Sequence, residues 1–272
     1  MKITIMTNTL LLLCPGIVPL VSNINLYDIV ISIYSLKCLV FELLILSFSS
    51  SYLVLIMPLN TTVKNRIKGI ERIGPHSKDI VSIIFGSLLG DAHAEKRKNG
   101  NGTRITFFQE ATHVKYLSWM HNQFAIAGYC NPVIPKIGQR LGKNNKVRQI
   151  VRFATWTYDS FNWIHEIWYV NDVKVVPQSI GNYLTPLALA IWIMDDGSKV
   201  SKGLKLCTNS YSYSDCLLLV QVLHSNFGLK ATIQSTGASS QYIIYIWKES
   251  MDKLRNIVDP FIIPEMKYKI LP

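Results

Sequence analysis

Apolar positions are densest from Leu187 to Met194, where eight successive residues are apolar on every side. That pattern predicts a helix packed all round rather than one lying on a surface. Thr185 suits its N-cap and Pro186 its first turn, where a missing N–H costs nothing. Asp195, Asp196 and Gly197 follow, the glycine reading as a C-terminal stop. Two acids at a helix C-terminus face the negative end of the macrodipole, so a positive group is expected beside them. A divalent cation held by oxygen ligands is one candidate, and an incidental acidic turn is the plain alternative.

The pattern occurs twice. Ser82 to Ala92, SIIFGSLLGDA, is again apolar with small residues at Gly86, Ser87 and Gly90, and it ends in Asp91. Aligned on the acid, IFGSLLGDA matches LAIWIMDDG, so Asp91 pairs with Asp196, 105 residues later, and Asp195 falls opposite Gly90. Small residues on a helix face let two helices approach closely. Side by side, the pair would bring both carboxylates to one end. Asp195 is thereby set aside as a neighbour of the chemistry rather than part of it.

Period and turn signals order the remainder. Asn60 to Ile73 is a basic linker, and Ser77 a plausible N-cap for the first apolar helix. After Asp91, Glu95 to Gly102 reads as a hairpin tip and Thr103 to Gln109 as a strand. An amphipathic helix spans Val114 to Ala127 and closes at Gly128. Strands around Val133–Ile137 and Gln149–Thr155 precede a Trp-rich helix, Ser160 to Tyr169. After Asp196 come strand Leu204–Thr208, helix Ser214–Phe227 with Gly228, strands Ala231–Gln234 and Tyr242–Trp247, and helix Met251–Val258. Gln109 lies 18 residues after Asp91 and Asn209 lies 13 after Asp196; Gly128 lies 37 after Asp91 and Gly228 lies 32 after Asp196. Both offsets differ by five, which a longer first hairpin explains. The chain is an internal repeat, each unit helix–strand–strand–helix–strand–strand–helix. Three segments are expected: an apolar extension and basic linker over 1–73, a first half over 74–180 and a second over 181–272.

Residues 1–60 differ in kind. Leu39 to Met57 is 19 residues with Glu42 as its one charge, long enough in principle to cross a bilayer but diluted by four serines. Residues 1–60 hold no arginine, which argues against an import presequence. An appendage outside the chemistry is the expectation, with no membrane role for the functional part.

Charge narrows the function classes. Lys2, Lys37, Asp28 and Glu42 cancel within residues 1–60, so the net +11 belongs wholly to residues 61–272. An anionic partner, most simply nucleic acid, is implied. Five cysteines without a CxxC pair indicate neither a zinc site nor a disulfide framework. The histidines form no metal constellation: His93 lies two after Asp91, and His113 and His121 are eight apart, a poor ligand spacing. No Walker loop or local Ser-His-Asp arrangement appears.

Between Glu110 and Asp159 lie 48 residues without an acid, carrying Lys115, Lys136, Arg140, Lys143, Lys146, Arg148 and Arg152. PKIGQRLGKNNKVRQIVRF reads as a twisted hairpin that presents cations to phosphate, with Gln139, Asn144, Asn145 and Gln149 available for base edges. Arg97 and Lys98 in the first hairpin, and Lys199, Lys202 and Lys205 in the second half, extend this surface.

The two motif helices, the flank KVVPQSIGNYLTPLALAIWIMDDG and the ending PFIIPEMKYKILP together resemble LAGLIDADG homing endonucleases of the single-chain, two-motif type, such as those of yeast mitochondrial introns. The resemblance covers about residues 74–272. The third motif position is Gly86 in one copy and Ile191 in the other, and Ala92 replaces the final glycine, so the helix seam is expected to be asymmetric. The resemblance implies an α/β (α+β) fold of two pseudo-symmetric αββαββα halves forming a DNA-binding saddle. It implies Asp91 and Asp196 as ligands for Mg²⁺, with Mn²⁺ as an alternative, and one strand cut per acid. Gln109 and Asn209 match the family's water-ordering polar residues, and Lys174 and Lys269 its basic residues near each site. A staggered double-strand break in a host-gene duplex, intron homing, a mitochondrial location and a monomer follow by the same resemblance. The competing reading is an intron RNA maturase on the same scaffold, with its own intron RNA as partner.

Overall fold

The computed structural model describes residues 67–97, 101–142, 145 and 147–271. The apolar stretch Leu39–Met57, with Lys98, Lys143 and Lys146, lies outside the described residues. Among the described residues, no helix is long and apolar enough to cross a membrane.

Among the described residues, seven α-helices and ten strands follow one another, and the order repeats. α1 (Lys78–Leu89), β1 (His93–Lys96), β2 (Thr103–Glu110), α2 (Val114–Ile126), β3 (Gly138–Leu141), β4 (Val147–Ala154) and α3 (Asn162–Trp168) form the first series. A small hairpin, β5 (Tyr169–Val170) and β6 (Val173–Lys174), and the short α4 (Ile180–Tyr183) link it to the second. That series is α5 (Pro186–Asp196), β7 (Gly197–Val200), β8 (Gly203–Cys207), α6 (Tyr213–Phe227), β9 (Ala231–Ser235), β10 (Tyr242–Ile246) and α7 (Met251–Val258). Both four-stranded sheets are antiparallel, ordered β1-β2-β4-β3 and β7-β8-β10-β9. The fold is the expected α/β arrangement of two αββαββα series.

α1 and α5 lie against each other as the central seam. Ala188 to Met194 of α5 are fully buried, as its unbroken apolar run requires. At about 1.5–3 kcal/mol per large apolar side chain, this one helix contributes a sizeable part of the core. Thr185 Oγ1 accepts the Ala188 N–H at 3.1 Å, the N-cap read from the sequence. Close approach rests on Gly86: a Cβ there would run into the Ala188 carbonyl oxygen and lie 2.8 Å from Ile191 Cβ. Glycine on one helix thus accommodates the bulkier residue at the matching position of the other, and the seam is asymmetric.

Gly197 ends α5 differently from expectation. Its backbone is extended (φ −74°, ψ 141°) rather than left-handed, because β7 begins there directly. Gly228 does take the left-handed cap at the end of α6 (φ 61°), and Ser212 with Asp215 forms the capping box at its start. The strand expected at 133–137 forms instead at Gly138–Leu141. Pro132 and Pro135 interrupt the earlier segment, and proline cannot donate to a ladder. The basic linker is tied down from Arg72 onward. Its guanidinium lies over Trp156 and donates to the Thr157 carbonyl at 2.9 Å, and His76 bonds Tyr129 Oη (3.0 Å) and Ser160 Oγ (2.9 Å).

Candidate active site

The C-terminal ends of α1 and α5 bring three carboxyl groups together. Asp91 follows the α1 cap residue Gly90, while Asp195 and Asp196 are the last two residues of α5. Gln109, near the end of β2, is buried and reaches both helices: Nε2 donates to Asp91 Oδ2 at 2.7 Å and to Asp195 Oδ1 at 3.0 Å. The Asp91 N–H donates to Asp195 Oδ2 at 3.4 Å. On the far side of the amide, His113 Nδ1 lies 3.3 Å from Gln109 Oε1.

The positive charge demanded by an acidic helix end comes from the chain itself. Lys269 is 6% exposed, and its Nζ donates to the carbonyls of Ile193 (3.3 Å), Met194 (2.5 Å) and Asp195 (3.0 Å). The Met194 and Asp195 carbonyls are among those a helix C-terminus leaves unpaired, whereas that of Ile193 also accepts the Gly197 N–H. Lys174 serves the other helix end, donating to the Ala92 carbonyl at 2.9 Å. It is held there by the tight β5–β6 hairpin, whose turn residues Asn171 and Asp172 have φ of 50° and 60°. Two tyrosines cap across the seam. Tyr211 Oη donates to Leu88 (2.9 Å) and Leu89 (3.3 Å) of α1, and Tyr116 Oη to Ile191 (3.5 Å) of α5.

Burial sets the charge states. It raises Asp91 above the usual carboxylate range, opposed by the Gln109 hydrogen bond and then by Lys269 and Lys174. Asp195 is pushed well above its ordinary value by burial and next by the charge of Asp91. Asp196 rises to about 7 for the same two reasons, with Lys269 and Lys174 opposing. Desolvation brings Lys174 down to about 8 against the pull of Asp196, Asp195 and Asp91, and lowers Lys269 likewise. All three acids are short of positive charge, even with two ammonium groups at hand.

A divalent cation would meet that shortage. Among the described residues no three His, Cys, Asp or Glu side chains form a set able to hold a metal unaided. Mg²⁺ does not need one, because it keeps several waters and takes its other oxygens from one or two carboxylates and from substrate phosphates. Asp91 and Asp196 offer hard oxygen donors of that kind, and no described residue donates a hydrogen bond to the Asp196 carboxylate. The residues fit the ion.

A cavity of about 750 Å³ opens beside the acids, lined among others by Asp91, Gln109, His113, Arg140, Arg148 and Asp195. A second, of about 520 Å³, adjoins it along His93, Phe108, Lys136, Arg140 and Arg152. The second lies on the sheet face turned away from the helices, and the first reaches from that face to the helix ends. Register explains which cations reach them. Arg140 pairs with Arg148, and Gly138 with Ile150, so these residues share that face with Arg152.

The sequence profile of the LAGLIDADG DNA endonuclease family matches residues 81–254. The chain belongs to this family. It is 51% identical over 219 residues to the cytochrome b mRNA maturase bI2 of Saccharomyces cerevisiae, an alignment covering 78% of this chain and 52% of that one. The chain thus spans about half the length of that relative. An intron-encoded endonuclease, ai4, of Dictyostelium discoideum is 38% identical over 147 residues, 53% of this chain and 92% of that one. The solved homing endonuclease I-WcaI, bound to its DNA recognition sequence, superposes with a TM-score of 0.66 at 26% identity, over 80% of this chain and 96% of that one. Relatives of this LAGLIDADG chain thus carry both names, endonuclease and maturase.

Among the residues read from the sequence, Asp91, Asp196, Gln109, Lys174 and Lys269 converge at the helix ends. Asn209 does not. It is exposed in the turn after β8, and the spacing argument that paired it with Gln109 is off by one residue. His93, two after Asp91, pairs with Thr106, and Ser198, two after Asp196, pairs with Lys205. Thr208 therefore stands where Gln109 does, and its hydroxyl turns back to the Tyr242 carbonyl at 2.9 Å. Asp195 is also corrected, since its carboxyl is in direct contact with the Asp91 backbone and Gln109 rather than a bystander.

The cationic surface divides by strand parity. Lys205 pairs with Ser198 and Tyr245 on the open face, whereas Lys199 pairs with the core residue Leu204 and so sits on the other face. Lys202 is in the β7–β8 turn, and Arg97 is exposed at the end of the first hairpin. Gln139 and Gln149 pair with each other on the face opposite Arg140 and Arg148, although Gln139 still borders the second cavity. His113 and the two capping tyrosines escaped the sequence reading. The available signal for His113 was its position four residues after Gln109, across the turn from β2 into α2.

Proposed function

We propose that this chain is a site-specific DNA endonuclease that makes a staggered double-strand break by divalent-metal-dependent phosphodiester hydrolysis, and so promotes movement of its intron. The observation that carries the reading is the convergence of Asp91 and Asp196 at adjacent helix ends beside two lysines, under an arginine-bearing sheet face. Asp91 and Asp196 are assigned as the residues that hold Mg²⁺, or Mn²⁺ in its place. Such an ion, when bound, supplies Lewis acidity and lowers the pKa of a water. Lys174 and Lys269 counter the negative charge that develops on the phosphate, and Gln109 orients Asp91 and water beside it. Arg140, Arg148, Arg152, Lys136 and Lys205 meet DNA phosphates and fix the register of the duplex. With both series in one chain, a monomer is the expected form, acting in mitochondria.

The 51% identity to a maturase supports a second reading, in which the same scaffold binds its own intron RNA and assists splicing. One experiment separates the two. A plasmid carrying the intronless host-gene junction is incubated with wild type and Asp196→Asn, with Mg²⁺ and with chelator, while splicing of the host intron is followed in parallel. Linearisation by wild type alone, and only with metal, supports the endonuclease. Intact plasmid, with splicing supported equally by both proteins, rejects it in favour of the maturase.

A further inference from the structure

Gln109 is the junction at which three other side chains meet. Its Nε2 faces Asp91 Oδ2 (2.7 Å) and Asp195 Oδ1 (3.0 Å), and its Oε1 faces His113 Nδ1 (3.3 Å). With Asp91 ionised, the opposite amide orientation would set a carbonyl oxygen against its carboxylate at 2.7 Å, so the donor end belongs on the acids. The imidazole must then present a protonated Nδ1 to the carbonyl end. Asp195 also receives the Asp91 N–H, and its side chain fills the space that a Cβ on Gly90 would need. Nothing of this kind occurs at the other acid. Thr208, at the ladder position matching Gln109, donates to the Tyr242 carbonyl instead, and among the described residues no hydrogen bond reaches the Asp196 carboxylate.

We infer that His113 and Asp195 are positioning residues for one of the two acids: they lock the Gln109 amide in the orientation that holds Asp91, and so make the two strand sites unequal. The inference rests on the endonuclease reading above for its effect on cleavage, but not for the lock itself. His113 fixes the carbonyl end, Asp195 fixes the amino end, and Asp91 is left one orientation. With His113 removed, the carbonyl end is unheld, the amide can swing away from the acids, and Asp91 loses a charge-assisted hydrogen bond whose loss is worth about tenfold or more in rate. Asp196 has no such partner to lose.

Two measurements test this. In single-turnover nicking of a duplex labelled on both strands, His113→Ala should change the ratio of the two strand rates by about tenfold or more. His113→Asn, whose amide nitrogen can stand in for Nδ1–H, should restore the wild-type ratio, and Asp195→Ala should shift it in the same sense as His113→Ala. Equal slowing of both strands, or an unchanged ratio, would overturn the asymmetry. In metal-free protein, imidazole ¹⁵N NMR at alkaline pH should find neutral His113 as the Nδ1–H tautomer, and Gln109→Ala should release that preference. An unprotonated Nδ1 in wild type would overturn the lock whatever the nicking result. A wild type that nicks neither strand, with His113 in the Nδ1–H form, would reject the endonuclease reading and leave the lock standing.

Discussion

Asp196→Asn should stabilise the metal-free protein at alkaline pH while abolishing its proposed activity. Burial and Asp91 lift the Asp196 carboxyl to about 7 from the reference 3.8. Between those values the folded state keeps a proton that the unfolded chain has released, so stability falls as pH rises through the window. Above the folded value the whole penalty is present. A shift of about three pH units corresponds to about 4 kcal/mol, and water reaching the partly buried group cuts this to about 2 kcal/mol. Asparagine carries no charge at either pH and escapes the penalty. In a domain of this size the gain is about 4–8 °C in Tm. Melting in chelator at pH values above 7 and below 4 should show Asp196→Asn more stable than wild type only in the alkaline buffer. Mg²⁺ should then raise the wild-type Tm more than that of the variant, because only wild type regains the missing positive charge. Equal melting temperatures in alkaline buffer, or the same gain at both pH values, would refute the reasoning.

Three further outcomes follow from the seam, the lysine and the open sheet face. Gly86→Ala should cost about 1–3 kcal/mol in urea unfolding, because its Cβ meets a backbone carbonyl of α5 that cannot step aside; a change below about 0.5 kcal/mol would contradict the close packing. Lys174 is brought down to about 8, so its ammonium is lost as pH rises through that value, and cleavage should fall there. Lys174→Arg keeps its charge and should carry activity to higher pH; an unmoved alkaline limb in an active Arg variant would exclude Lys174 as its source. Arg140→Ala and Arg148→Ala should each reduce the slope of log affinity against log salt for duplex DNA by about 1, whereas Gln149→Ala, on the opposite face, should leave it unchanged.

How much of this was legible in the sequence depends on how local each feature is. The buried course of α5, its Thr185 cap, the capping glycines Gly128 and Gly228 and the doubled order of elements all follow from short-range rules. An apolar run records that every side of a helix is dry, and a capping residue acts within one turn. The pairing of Asp91 with Asp196 was also readable, because each acid sits at the end of its own motif. What escaped depends on register and on the crossing of two helices distant in sequence. Whether Thr208 or Asn209 matches Gln109, and whether Lys199 shares a face with Lys205, turns on a single residue of ladder offset, and one step along a strand reverses the side chain. Asp195 enters the site because Gly90 of the facing helix leaves room for its carboxyl, and His113 because the turn after β2 folds back over Gln109. The sequence by itself determined the helices, their ends and the repeat, through interactions made within a few residues. Only the tertiary structure decided which third carboxyl, which imidazole and which cations share the site, since those contacts are made between segments that periodicity does not relate.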